Sequence, residues 1–244
     1  MRKNGRTEDY TIIWVLFGIL CVLTGVVLAA CIFFAKKIPE IVGRSLTNEE
    51  RAQVIERNSP LTDYIFLTSV ADFPRKDSIR KITIHHMADD ISLERLGEVF
   101  AQQDRRASAN YAIDREGRVA LYVEESNQAW TSSSRENDHQ AVTIEVANDE
   151  IGGSWHVSDA SYESLIDLCT DICRRNGIAE LTFTGDAKGN LTIHKMFRKD
   201  TECPGPYLES KMPEIAEEVN KRLQEPENQA KKEPDPSEER SDSN

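Results

Sequence analysis

The chain has 244 residues, 39% of them hydrophobic, and a formal net charge of −12. That length allows roughly one to two domains, and the acidic balance excludes a nucleic-acid binder, which needs a basic face against phosphate. Its five cysteines do not form a disulfide scaffold: Cys21 and Cys31 sit in an apolar stretch, and Cys169 and Cys173 are one helical turn apart, where side chains run parallel and bridge poorly.

In chain order, residues 11–35 contain no charged side chain, and this run exceeds the ~20 residues that cross a bilayer core. It reads as a transmembrane helix, kept as an uncleaved signal anchor, because a cleaved signal has an apolar region of only ~7–15 residues. Leu28-Ala29-Ala30-Cys31 resembles a bacterial lipobox, which would make Cys31 a lipidated first residue, but the apolar run continues past it. Arg2, Lys3 and Arg6 precede the span and Lys36 and Lys37 follow it, so charge alone leaves its orientation open. Residues 36–60 form a linker containing a helix capped by Thr47, with Glu49 and Glu50 in its first turn.

A folded unit is expected over residues 61–223. Apolar alternation predicts a strand over 79–85, and Ser92 caps a helix reaching Phe100. Strands over 109–114 and 119–123 flank Arg115-Glu116-Gly117-Arg118 as a hairpin, and 142–147 is a further, nearly apolar strand. A helix over 159–175 stops at Asn176-Gly177, a strand is expected over 181–184, and a last helix over 207–223 turns Ile215, Val219 and Leu223 inward. The fold class is therefore α/β, a mixed central sheet flanked by helices. Residues 224–244 hold seven acids, three basic residues and three prolines from Glu225 onward. Such a tail cannot bury a core and is expected to be disordered.

Two motifs carry chemistry. Ile-Thr-Ile-His85-His86 ends the first strand, and His194-Lys-Met-Phe-Arg-Lys-Asp-Thr201-Glu-Cys203-Pro-Gly-Pro lies more than a hundred residues later. Together they can supply His, His and Cys to one zinc ion, leaving a fourth position open as in catalytic sites. Neighbouring strand side chains face opposite ways, so at most one of His85 and His86 is a ligand. Cys203 stands in a polar Pro/Gly loop with no packing reason for a small hydrophobe, which marks it as the chemical cysteine. Glu145 interrupts an apolar strand, where a carboxylate is costly unless paired or functional.

With these motifs, Asn110-Tyr111-Ala-Ile-Asp, Thr143-Ile-Glu145-Val-Ala-Asn148 and Gly189-Asn-Leu-Thr-Ile-His194 make residues 79–223 resemble the type 2 N-acetylmuramoyl-L-alanine amidases, a family that also holds phage endolysins and peptidoglycan recognition proteins. The resemblance implies Zn2+ held by His85, His194 and Cys203, water activated for attack on an amide, Glu145 as the proton-handling residue and Tyr111 as a hydrogen-bond donor to the oxyanion. Cys203 is the ligand that non-cutting recognition proteins typically lack. Thr201 stands where several phage members carry lysine, so a hydroxyl would meet the transition state. Asn110, Trp130 and Asn148 are candidate groove residues for glycan and stem peptide, and Lys195, Arg198 and Lys199 default to solvated loop charges.

Joined to the apolar span, the resemblance implies a membrane-anchored enzyme cutting between the lactyl group of N-acetylmuramic acid and L-alanine of peptidoglycan. Its substrate lies outside the cell membrane, which puts residues 1–10 in the cytoplasm and the catalytic domain outside, with no obligate protein partner. Two alternatives stay open. One is a peptidoglycan-binding sensor of the same fold, for which ten cytoplasmic residues leave no signalling domain of the usual ~50 residues. The other is a zinc hydrolase acting on a different amide.

Overall fold

The computed structural model describes residues 46–225 and, within the apolar N-terminal stretch, residues 15–17, 19–22 and 24. Among the described residues no helix is long and apolar enough to cross a membrane. Most of the 11–35 span, including Cys31, and the tail from 226 onward lie outside the described residues.

Thr47 opens helix α1 (Asn48–Arg57) with a capping box: its hydroxyl accepts the Glu50 N–H while Glu50 accepts the Thr47 N–H. This helix, read as part of a linker, is docked onto the body of the fold. Val54 is buried in the main core, Leu46 packs against it, and Arg51 donates to the backbone carbonyls of Thr62 and Asp63 at 3.1 and 2.7 Å.

The sheet holds β1 (Thr62–Ile65), β3 (Lys81–His86), β4 (Tyr111–Ile113), β5 (Val119–Leu121), β7 (Ala141–Val146) and β8 (Leu191–Ile193) in the order β1-β5-β4-β7-β3-β8. Only β4 and β5, joined by the expected hairpin, run antiparallel, while the other neighbours are parallel. β2 (Ala71–Asp72) and β6 (Gln128–Ala129) form a separate antiparallel pair. Both faces of the sheet are covered. On one lie α4 (Asp159–Asn176) and α5 (Gly205–Gln224), which bury Leu165, Ile172, Leu208 and Ile215 against Ile84, Ile144 and Ile193. On the other lies α2 (Leu93–Phe100), whose Leu93, Leu96 and Phe100 recur at helical spacing over Ala112 and Ala120. A strand covered on both faces reads as a continuous apolar run, which is the pattern of β7.

The strand expected over 181–184 does not form, and the neighbouring apolar run Leu191–Ile193 takes the sheet edge beside β3. The reason lies in α5: Asn220 accepts the Leu181 N–H at 2.7 Å and donates to the Leu181 carbonyl at 2.8 Å, so those backbone groups need no ladder. Helix α3 (Arg135–Gln140), capped by Ser134, was also not foreseen. Its six residues carry no apolar period to announce it.

Candidate metal centre

Register brings the chemistry together. In the parallel ladder His85 of β3 pairs with Glu145 of β7, and Ala112 of β4 pairs with that same glutamate. All three therefore point to the α2 face near the carboxyl ends of their strands, where open α/β sheets bind ligands. β8 runs beside β3 with Ile193 opposite Ile84, so the chain leaves the sheet at His194 next to His85, with ring centroids 4.8 Å apart.

The loop after His194 returns Cys203 to the same point. Its carbonyl accepts the Lys195 N–H at 3.1 Å, its own N–H donates to the Thr201 hydroxyl at 3.2 Å, and its Sγ lies 3.4 Å from His85 Nδ1. One ligand atom from each of His85, His194 and Cys203 falls within 4.8 Å of the others. His86 faces the opposite way, edge-on to Trp155 at 5.2 Å, as strand alternation requires.

The donor set fits a metal. Burial lowers the pKa of both His85 and His194, keeping the imidazoles neutral with a lone pair to give. Burial, then the nearby Glu145, pushes the Cys203 thiol up, a shift that a coordinated cation reverses by deprotonating it outright. Among the described residues, His85 Nε2 and Glu145 Oε2 are shielded from solvent with no hydrogen-bond partner, a costly arrangement unless something else engages them. Desolvation raises the Glu145 carboxyl to about 8. Two neutral nitrogens and a thiolate suit zinc.

The other expected residues divide. Trp130 lies half-buried in a groove of about 490 Å³ that opens beside His194, its indole N–H donating to Asp72 at 3.1 Å. Thr201 is half-buried and braces the cysteine loop, with its own hydroxyl proton still to give. Tyr111 must be corrected. It pairs with Ile144, one residue out of phase with Glu145, and so faces α4 on the far side of the sheet. There its hydroxyl donates to Glu125 at 2.7 Å and accepts the Ser59 N–H at 2.9 Å.

Asn110 and Asn148 are likewise structural amides rather than groove contacts. Asn110 is fully buried; it accepts the Thr143 N–H at 3.1 Å and donates to the Val123 carbonyl at 3.0 Å. Asn148, also fully buried, donates to the Trp155 carbonyl at 2.7 Å and ties down the 149–156 loop. Lys195 and Arg198 pair with Glu209 and Asp200, both at about 2.7–2.8 Å. Sequence reasoning missed Ser133, whose Oγ lies 3.5 Å from His194 Nε2 on a backbone at φ +64°. A positive φ at a serine leaves no sign in the residue itself.

The family described as N-acetylmuramoyl-L-alanine amidase matches residues 75–206, more than half of the chain. No curated protein matches in sequence. Among solved structures, PlyL superposes with a TM-score of 0.51 at 14% identity over 64% of this chain and 95% of its own, a likeness of fold. The endolysin N-acetylmuramoyl-L-alanine amidase LysCS from Clostridium intestinale gives 0.42 at 18% identity, over 62% and 95%. Drosophila peptidoglycan recognition protein SA gives 0.45 at 17%, over 58% and 81%.

Proposed function

The chain belongs to the type 2 N-acetylmuramoyl-L-alanine amidase family, and on that premise we propose that it is a zinc-dependent amidase cutting peptidoglycan between N-acetylmuramic acid and L-alanine. The observation that carries this reading is the convergence of His85, His194 and Cys203 within 4.8 Å, with Glu145 in register beside His85. When bound, zinc supplies a Lewis acid that polarises the amide carbonyl and acidifies water.

The chain's own groups do the rest. Glu145, with a shielded oxygen that no donor engages, takes a proton from the attacking water and passes it to the departing L-alanine nitrogen. The raised carboxyl suits that exchange, since a group poised near neutrality both accepts and releases a proton. With Tyr111 on the other face, the Thr201 hydroxyl is the nearby donor for the oxygen that gains charge. Trp130 and the groove beside His194 orient the substrate. The products are a muramoyl carboxylate and a free L-alanine amine.

We place the enzyme in the cell membrane through residues 11–35, with its catalytic domain outside. Alkaline extraction should leave the full-length chain in the membrane fraction, and release of the intact chain would remove the anchor.

The decisive assay is digestion of purified peptidoglycan by full-length protein as isolated, after chelation, and as Cys203→Ser, with mass analysis of products and metal content. We expect new L-alanine amino termini, lost on chelation, and a Cys203→Ser rate down by at least about 100-fold with less bound zinc. Tight binding without cleavage by zinc-loaded, folded protein would make the domain a sensor instead.

A further inference from the structure

The serine run 132–134 holds its middle member in a conformation that needs a reason. Ser133 sits at φ +64°, a region that L residues other than asparagine and aspartate seldom enter. Its side chain is exposed, so packing does not demand that backbone. The hydroxyl lies 3.5 Å from His194 Nε2, the outer limit of a hydrogen bond. Among the described residues no other side chain hydrogen-bonds the His194 ring.

Helix α3 and its neighbours build this position from both sides. Before Ser133, the buried Asp138 accepts the N–H groups of Thr131 and Ser132 at 3.0 and 3.1 Å. After it, Ser134 caps α3 by accepting the Asn137 N–H at 3.3 Å, and its own N–H donates to the Ser132 hydroxyl at 3.2 Å. Asn137 then reaches the strands that carry the histidines. Its Nδ2 donates to the Thr83 hydroxyl at 2.8 Å, which lies 2.9 Å from the Thr192 hydroxyl. Thr83 and Thr192 pair across β3 and β8, each two residues before its histidine, His85 or His194. One helix thus ties the serine loop to the strand pair that delivers both rings.

A histidine that binds a metal through one ring nitrogen needs a partner for the other, because that hydrogen bond fixes the tautomer and the ring orientation. We propose that Ser133 is a positioning residue for His194: its hydroxyl accepts the Nε2–H and leaves Nδ1 as the nitrogen given to the metal. A protonated Nε2 has no lone pair, so the ring then binds through Nδ1 alone. The left-handed backbone between two anchored neighbours turns the Ser133 side chain toward the ring. This rests on the metal reading of the site and deepens it.

The test compares full-length wild type with Ser133→Gly and Ser133→Ala. Both variants lack the hydroxyl, but glycine accepts a positive φ freely and alanine does not. Zinc affinity is read by competition with a chromophoric chelator, the protonated ring nitrogen by NMR of ring-labelled histidine, and folding by a thermal scan of metal-free protein. Zinc should bind both variants about tenfold more weakly than wild type. Metal-free Ser133→Gly should melt no lower than wild type, and zinc-loaded wild type should carry the His194 proton on Nε2.

Wild-type zinc affinity in Ser133→Gly overturns the proposal whatever Ser133→Ala does, since residue 133 would then matter only through its backbone. A His194 proton on Nδ1 overturns it too. Folded wild type that takes up no zinc removes the metal centre, and the role of Ser133 with it. Zinc held in the stated tautomer and weakened in both variants, with no cleavage of peptidoglycan, upholds Ser133 and removes the amidase instead.

Discussion

At the scale of single residues, Glu145 and Tyr111 show how one step along a strand separates chemistry from structure. Glu145 lies in register with His85 and close to Cys203, and desolvation lifts its carboxyl from 4.5 to about 8. An acid with a raised folded-state pKa favours folding below its unfolded value, and that advantage is lost as pH climbs through the folded value. In metal-free protein Glu145→Gln should therefore unfold at the same temperature as wild type near pH 4 and at a higher one at pH 8. The gain is on the order of 1–3 kcal/mol, while amidase activity falls by at least about 100-fold. A thermal scan at both pH values reads the first effect, and equal melting at pH 8 would refute it. Tyr111→Phe should leave kcat intact, because that hydroxyl lies across the sheet. It should cost about 1–2 kcal/mol in urea unfolding, since the buried Ser59 N–H loses its acceptor and Glu125 a donor.

At the scale of elements, the end of the sheet opposite His85 and His194 is held by a buried carboxylate. Glu125 is 4% exposed and accepts from Arg175 at 2.6 and 3.0 Å, from Asn176 at 3.1 Å and from the Tyr111 hydroxyl. Its backbone N–H donates to Asn58 at the end of α1 at 2.8 Å. One residue thus joins α1, α4 and β4. Glu125→Ala would strip those donors of their acceptor and should destabilise the fold by about 3 kcal/mol in urea. A loss below about 1 kcal/mol would mean that water takes over the network.

For the whole molecule, the docking of α1 shifts the start of the stable unit. A fragment spanning 61–225 should unfold at lower urea than one spanning 46–225. It loses buried Val54 and Asn58, the Ser59 contact to Tyr111 and the Arg51 bonds to β1. Equal midpoints would show α1 to be an appendage. Zinc should raise the melting temperature of both fragments in a concentration-dependent way, because the ligands, distant in sequence, converge only in the folded state. Melting that ignores added zinc would count against the three-ligand site.

The residues alone determined the α/β class, the hairpin, the capped helices, and the two histidine motifs with Cys203 beside them as candidate ligands. Those features are local: apolar period, cap chemistry and ligand type are written in consecutive residues. Tertiary structure decided what needed register. It put Leu191–Ile193 rather than 181–184 beside β3, because Asn220 satisfies the Leu181 backbone. It turned Tyr111 away from the site and closed Asn110 and Asn148 into backbone bonds. A strand's side chains alternate faces, and only pairing with a neighbour says which face holds the chemistry.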